Sequence, residues 1–408
     1  MARTFSDDRP ARRRRLGPRG RRSSPGVVLT RLRVAFDVLP FAGELTGVGR
    51  FCAGLAGSLA GREEVELRGY AVARNARRDT AVGAAALGLS LKTWRAPTRV
   101  VNALWARVEV PPIEWLVGPV DVVHGTNYVV PPARHAGRVV TVFDLTAMRY
   151  PQFCAPASLA YPRLVARAVR HGALVHVLSS FVRDELAELL GVDTDRVHVV
   201  PPGLDAAPEY VSAPSPGQAD RRDRSAPYLL ALGAVEPRKD LPSLVTAFAE
   251  IAHAHGDLRL VVAGPDGWGE PAFAAAVASC GVADRVVRVG YLEEVDRQSL
   301  LDGAVALAYP SLYEGFGFPP LEAMAAGVPV VATAAGAVPE VVGDAAVLVA
   351  PGDPAALAAA LVRVIDDTAL RARLIAAGRV RASSFTWESA ANSMIDLYGA
   401  AATARRTR

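Results

Sequence analysis

The chain has 408 residues, 51% of them hydrophobic and 21% charged, with a formal net charge of +5. That length exceeds one ordinary core and predicts two domains, no run of about 18 apolar residues is present to cross a membrane, and Cys52, Cys154 and Cys280 lie too far apart for a disulfide or zinc framework, so they read as single thiols in a reducing cytoplasm. The positive charge is local: residues 1–33 hold eleven arginines against Asp7 and Asp8, which leaves 34–408 at −4 and argues against a nucleic-acid partner.

Residues 1–33 contain Arg12-Arg-Arg-Arg15 among Pro, Gly and Ser, with almost nothing to build a core, and are expected to be disordered. They lack the apolar stretch of a secretory signal. Attraction to the anionic inner face of a plasma membrane is one reading of the arginines; a solvated tail or a start codon placed too early are the others. From 34 to 212 short β-branched runs alternate with Ala/Leu-rich stretches. Strands are expected at 33–37, 65–72, 120–124, 139–143, 174–178 and 197–200, with helices at 47–60 and 181–190, the second capped by Ser179 or Ser180. Residues 213–226 are polar and rich in Pro and Gly, as in an interdomain linker.

The alternation resumes over 227–384, with strands expected at 228–232, 258–263, 286–289, 305–309, 328–332 and 346–349. Residues 385–408 read as a closing helix with Thr386 as N-cap, packing back toward the first domain and fraying at Arg405-Arg406-Thr-Arg408. The pattern is α/β, with two doubly wound halves of parallel sheet.

Two stretches of the second half carry chemistry. Glu314-Gly-Phe-Gly-Phe-Pro-Pro-Leu-Glu322 holds two carboxylates in a segment too rich in glycine and proline to be a continuous helix. It reads as a loop entering a helix, with Pro320 at the first helical position and Glu322 in the first turn. Free backbone N–H groups at such a junction suit phosphates, and carboxylates suit hydroxyls, which suggests a nucleotide sugar. Gly233-Ala-Val-Glu-Pro-Arg-Lys-Asp-Leu241 follows another strand, where Arg238 and Lys239 could clamp a diphosphate. Asp193-Thr-Asp195 has the form of an acidic metal motif but sits between a helix and a strand, and reads as a capping turn.

These motifs, with Ala323-Met-Ala-Ala-Gly-Val-Pro-Val-Val-Ala332, Thr46-Gly-Val-Gly-Arg50, Asp121-Val-Val-His124, Thr141-Val-Phe-Asp144, Arg149-Tyr-Pro151 and Val200-Pro-Pro-Gly203, resemble the retaining glycosyltransferases of family 4 over nearly the whole chain from 34 onward. The resemblance implies a GT-B architecture of two Rossmann-like domains facing a central cleft, an acceptor domain at 34–212 and a donor domain at 227–384. It implies that Glu314 contacts the donor hexose and Glu322 the ribose diol, while Arg238 and Lys239 stabilise the departing diphosphate. The amides around Gly315, Gly317, Phe318 and Leu321 would face phosphates or sugar, Gly233 would end the strand at the site, and Tyr291 would lie at the base. Gly47 and Gly49 would let the first-domain loop approach the donor, and His124 would bond a sugar hydroxyl. Asp144 is a further candidate, preceded by Phe143 where many relatives carry His; Ala234 likewise stands where many carry Arg, Ser or Thr.

The implied reaction transfers a hexose, with mannose preferred, from a nucleotide diphosphate sugar to a glycan or lipid-linked acceptor hydroxyl. Configuration is retained by same-face substitution, with no metal or other cofactor expected. A sugar-nucleotide epimerase of the same architecture and a non-catalytic polyanion binder are the alternatives.

Overall fold

The computed structural model describes residues 31–43, 45–105, 107–204 and 226–406. Residues 1–30, and the 213–226 linker up to residue 225, lie outside the described residues. The first sheet comprises β1 (Leu32–Asp37), β2 (Val65–Val72), β3 (Ser90–Trp94), β4 (Val122–Gly125), β5 (Gly137–Val142), β6 (Leu174–Val177) and β7 (Val197–Val199). Its spatial order is β3-β2-β1-β4-β5-β6-β7, with every pair parallel. Arg33 therefore belongs to a strand, where its guanidinium holds Asp121 at 3.0 Å.

The second sheet comprises β8 (Tyr228–Leu232), β9 (Arg259–Ala263), β10 (Val286–Gly290), β11 (Ala306–Tyr309), β12 (Val330–Thr333) and β13 (Val347–Val349). Its order is β10-β9-β8-β11-β12-β13, again parallel throughout. Helices cover both sheets, so β4, β5, β8, β11 and β12 are buried along their whole length; β8 and β11 are apolar throughout apart from the Tyr228 and Tyr309 hydroxyls, while β4, β5 and β12 bury the polar His124, Arg138, Thr141 and Thr333 as well. The two sheets are the two Rossmann-like domains of a GT-B fold.

The closing helix Trp387–Arg406 returns to the first sheet, burying Met394 and Tyr398 completely. Its start is capped by Thr386, whose hydroxyl oxygen accepts from the Ser389 N–H at 3.2 Å. The Trp387 indole fills a slot between Gly54 and Gly203; a Cβ on either would lie 2.1 Å from Trp387 atoms.

One compact unit begins at Arg31 and includes both sheets, joined at their facing ends by polar contacts. Ser179 caps the helix Ser180–Leu190 and also donates to the Gly315 carbonyl at 2.7 Å. The first N–H groups of that helix, on Ser180 and Phe181, donate to the Glu340 carboxylate at 2.8 and 3.0 Å. Tyr313 reaches the other way, accepting from the Leu145 N–H at 3.0 Å and donating to the buried Glu185. These contacts set the strand ends of the two sheets across a cleft.

Candidate functional site

The strand order of the second sheet reverses between β8 and β11, and such reversals open a crevice beyond the carboxyl ends of the strands. The loops leaving β8 and β11 carry Arg238-Lys239 and Glu314. After β8 the chain turns at Gly233 (φ +142°), and a Cβ there would press to 3.2 Å on the Lys239 side chain. A tight turn at Pro237–Lys239 then delivers both cations before the helix Leu241–Ala252.

The Glu314 carboxylate is gripped by both. One oxygen lies 2.6 Å from Lys239 Nζ and the other 2.7 Å from Arg238 Nη1. Arg238 also donates to the Tyr313 carbonyl at 2.9 Å, and Lys239 donates to the Tyr309 hydroxyl at 2.9 Å while lying 4.7 Å over its ring. Burial alone would raise the Glu314 carboxyl, but Arg238 and Lys239 outweigh it and hold it at about 2. Burial lowers the Lys239 ammonium, an effect that Glu314 partly offsets. The trio carries an excess of one positive charge, which Glu236, lining the cleft 3.6 Å from Arg238, offsets.

The crevice continues into a cleft of about 430 Å³ between the two sheets. From the expected set, Gly47, Asp144, Gly233, Arg238, Lys239, Tyr291, Glu314, Gly315, Gly317 and Phe318 all line it. Gly315 is where the lobes meet backbone to backbone: a Cβ would lie 1.8 Å from the Phe143 carbonyl oxygen and 2.8 Å from Asp144 Cβ. Asp144 accepts from the Thr146 N–H at 3.0 Å and helps to keep the Arg238 charge in place.

Two further arginines line the cleft, Arg50 and Arg297. Arg297, 5% exposed, bonds Glu322 and lies 3.9 Å from Glu294. Arg50 approaches from the first lobe to 3.5 Å from Glu294 and 3.9 Å from Glu322. The four side chains form a ring of alternating charge across the two lobes. Sequence reading quoted Arg50 within its motif but assigned it nothing, and passed over Arg297. The spacing Glu294–Arg297, three residues apart on one helix, was the available signal.

Other expectations change. The helix after Glu314 starts at Phe318, so Pro319 and Pro320 are its second and third residues and Glu322 lies beyond the first turn. Prolines have no N–H, so the free donors at this helix start are on Gly317 and Phe318 rather than spread along a full turn. Leu321 is fully buried in the core, and Glu322 is reached from the cleft through Arg297. A Cβ on Gly49 would lie 2.7 Å from the Pro40 carbonyl oxygen, so this glycine is required by packing of its own loop.

His124 is not brought to the cleft. It is fully buried, with Nδ1 2.8 Å from the Tyr398 hydroxyl and Nε2 2.8 Å from Thr141 Oγ1. Thr141 in turn lies 2.9 Å from His176 Nδ1, and His176 Nε2 lies 3.0 Å from the Val200 carbonyl. The carbonyl can only accept, which fixes the whole chain: Tyr398 donates to His124, His124 to Thr141, Thr141 to His176, and His176 to Val200. Both imidazoles are neutral; burial lowers His124 well below its usual value and His176 to about 4. This is a brace between strands and closing helix. The Asp193 carboxylate is likewise committed, accepting from the Asp195 N–H at 3.0 Å in a turn.

Residues 45–207 match the family profile "Glycosyltransferase Family 4" and residues 218–381 match "Glycosyl transferases group 1". The O-antigen chain mannosyltransferase B of Escherichia coli is 30% identical over 67% of this chain and 73% of its own length. A D-inositol 3-phosphate glycosyltransferase of Xylanimonas cellulosilytica is 38% identical over 55% of each chain. Among solved structures, the sucrose-phosphate synthase of Thermosynechococcus elongatus superposes with a TM-score of 0.68 at 20% identity, covering 91% of this chain and 99% of that one. HepE of Anabaena in complex with UDP does so at 0.66 and 16%, covering 90% and 100%; at these identities the likeness shows the fold. The two profiles, the bacterial relatives and the paired sheets agree that this chain belongs to the group 1 glycosyltransferases, family 4, of GT-B architecture.

Proposed function

We propose that this glycosyltransferase moves a hexose, with mannose preferred, from a nucleotide diphosphate sugar to a hydroxyl of a glycan or lipid-linked acceptor, retaining the anomeric configuration and requiring no metal. The observation that carries the reading is the Glu314 carboxylate held between Arg238 and Lys239 where the strand order reverses. A carboxylate kept at about 2 stays ionised and accepts hydrogen bonds from sugar hydroxyls. It is a poor general acid or base near neutral pH, which supports positioning and charge stabilisation as the main catalytic effects.

In this reading Arg238 and Lys239 transfer part of their charge from Glu314 to the diphosphate as the glycosidic bond breaks. The Gly317 and Phe318 amides face the same phosphates, and Glu322, oriented by Arg297, accepts from the ribose diol. The departing phosphate takes the acceptor's proton on the face it leaves. Arg238 and Lys239, turning from Glu314 toward the diphosphate, would neutralise the leaving group in place of a metal, which supports the metal-independent reading. Complexes of HepE with UDP and with UDP-glucose support a nucleotide diphosphate donor, and the names of two mannosyltransferase relatives support mannose.

Thermal denaturation with GDP-mannose, UDP-glucose and other nucleotide sugars tests the donor. A cognate donor at 100 times its dissociation constant adds about 2.7 kcal/mol of stability, and no shift with any of them overturns the reading. NMR of the product anomer and turnover in the presence of a chelator test retention and metal independence.

A further inference from the structure

The connection from β3 to β4 has apolar side chains on two faces. Trp105, Ile113 and Val117 point inward and are at most 6% exposed. Val100 (63% exposed), Leu104 (42%), Val108 (42%), Val110 (47%) and Trp115 (63%) point out. Val100 and Leu104 are four residues apart on the helix Thr98–Trp105 and so share a face; the others follow within one short segment. An inward apolar face is ordinary, but a second outward one over sixteen residues is not explained by the fold.

The charges around it have one sign. Residues 92–117 contain Lys92, Arg95, Arg99 and Arg107 against only Glu109 and Glu114. Both acids are turned to internal use. Glu109 bonds Arg138 at 2.5 Å and also Arg167, and Glu114 accepts the N–H groups of Arg134, His135 and Ala136 at 2.8, 2.9 and 3.3 Å. Lys92, Arg95, Arg107 and Arg134 are exposed, and the Arg134 guanidinium lies 5.6 Å over the Trp115 ring. The result is aliphatic side chains and an exposed indole within a basic rim.

We propose that this face, residues 92–117 with Arg134, docks on an anionic lipid bilayer. The apolar side chains enter the headgroup boundary, Trp115 sits at the interface as indoles do, and the basic rim meets lipid phosphates. Charge selects the occupant. A second copy would bring the same positive rim against this one, and residues 1–30, with nine arginines and two aspartates, are also of the repelling sign. A nucleic acid would use the rim but leave the aliphatic side chains without a role.

The test is co-sedimentation of the full chain with vesicles of phosphatidylcholine alone and with one-third phosphatidylglycerol, at low and high salt. Three variants are compared with wild type: an apolar one (V100S, L104S and W115S together), a rim one (Arg95→Gln with Arg107→Gln) and a tail one (Arg12, Arg13, Arg14 and Arg15 to Gln). Every substituted side chain in the first two is exposed, and thermal denaturation checks that folding is kept. The proposal expects binding to the anionic vesicles, loss of at least tenfold in the apolar variant, and about fivefold weaker binding per rim arginine removed. It is overturned if no vesicle binds. It is also overturned if the apolar variant binds as wild type while the tail variant does not, which would leave only tail electrostatics. A surface that instead drives self-association, seen by light scattering and abolished in the apolar variant without vesicle binding, overturns it as well.

Discussion

Glu314 has two functions that substitution can separate. It neutralises two partly buried cations, and it presents an ionised oxygen to the cleft. Lys239→Met leaves Glu314 paired with Arg238, so stability should change little while turnover falls about 100-fold, the usual effect of removing one preorganised charge from a reacting site. Glu314→Gln leaves Lys239 without its carboxylate partner and Arg238 with only Glu236 at 3.6 Å, and should lower stability by about 3 kcal/mol in addition to abolishing turnover. Turnover and thermal denaturation of the two variants together check this; wild-type turnover in Lys239→Met removes the trio from the reaction. Arg297→Met releases Glu322, and donor KM should rise about tenfold with kcat little changed, because the ribose grip acts equally in ground and transition states. Motif residues in loops were legible in the sequence because Gly233, Gly315 and Gly317 announce where backbone must turn or approach. Arg297 was not, because a helix arginine in a polar stretch looks like solvated surface. His124 misled for a related reason. A strand-end histidine looks the same whether its ring faces the cleft or the core, and Tyr398, which captures it, is 274 residues away.

Helix starts carry much of the lobe arrangement. The helix Ser180–Leu190 presents its first two N–H groups to Glu340 of the other lobe. Glu340→Ala should therefore lower stability by about 0.5–1 kcal/mol at low salt, and less at high salt since the carboxylate is exposed. Urea denaturation at two ionic strengths reads that difference, and an effect independent of salt would rule out the charge–helix interaction. Elements with strong local signals were legible: 47–60, 65–72 and 228–232 match their helix or strand to the residue. Strand β3 (Ser90–Trp94) was missed. It is an edge strand with polar Lys92 and Thr93 in its middle and at least partial exposure throughout, so neither alternation nor an apolar run marks it. The helix at Phe318 starts two residues earlier than its prolines suggested, because proline is tolerated anywhere in the first turn, where the N–H is unpaired in any case.

At the scale of the molecule, the chain from Tyr398 through His124, Thr141 and His176 to Val200 ties the closing helix to β4, β5 and β6 and to the exit of β7. Residues from the far end of the chain thus complete the first lobe, and the brace functions only with neutral imidazoles. Its pH dependence has a definite sign. Above pH 6.5 His176 is neutral in both the folded and unfolded chain, and its contribution is constant. Between about 6.5 and 4 the unfolded chain takes up a proton that the folded chain refuses, so stability falls as pH falls. Over that window the loss from His176 is about 3 kcal/mol, at 1.36 kcal/mol per unit, and His124 adds to it with the same sign. Asp37 acts in the opposite direction. Burial raises its carboxyl to about 7, so its protonated folded form favours folding at low pH and that advantage is lost as pH rises toward 7. Total stability therefore mixes both, and the informative quantity is the difference between wild type and His176→Gln. The variant keeps a side chain able to bond Thr141 and Val200 but has nothing to titrate. Wild type should be the more stable at pH 7, and the gap should close by about 3 kcal/mol on going to pH 4, read by urea denaturation at each pH. A gap that stays constant across the window would mean that the folded and unfolded chains protonate His176 alike, and a gap that widens toward pH 4 would mean that the folded chain holds the proton more tightly; either result removes the neutral imidazole from the brace.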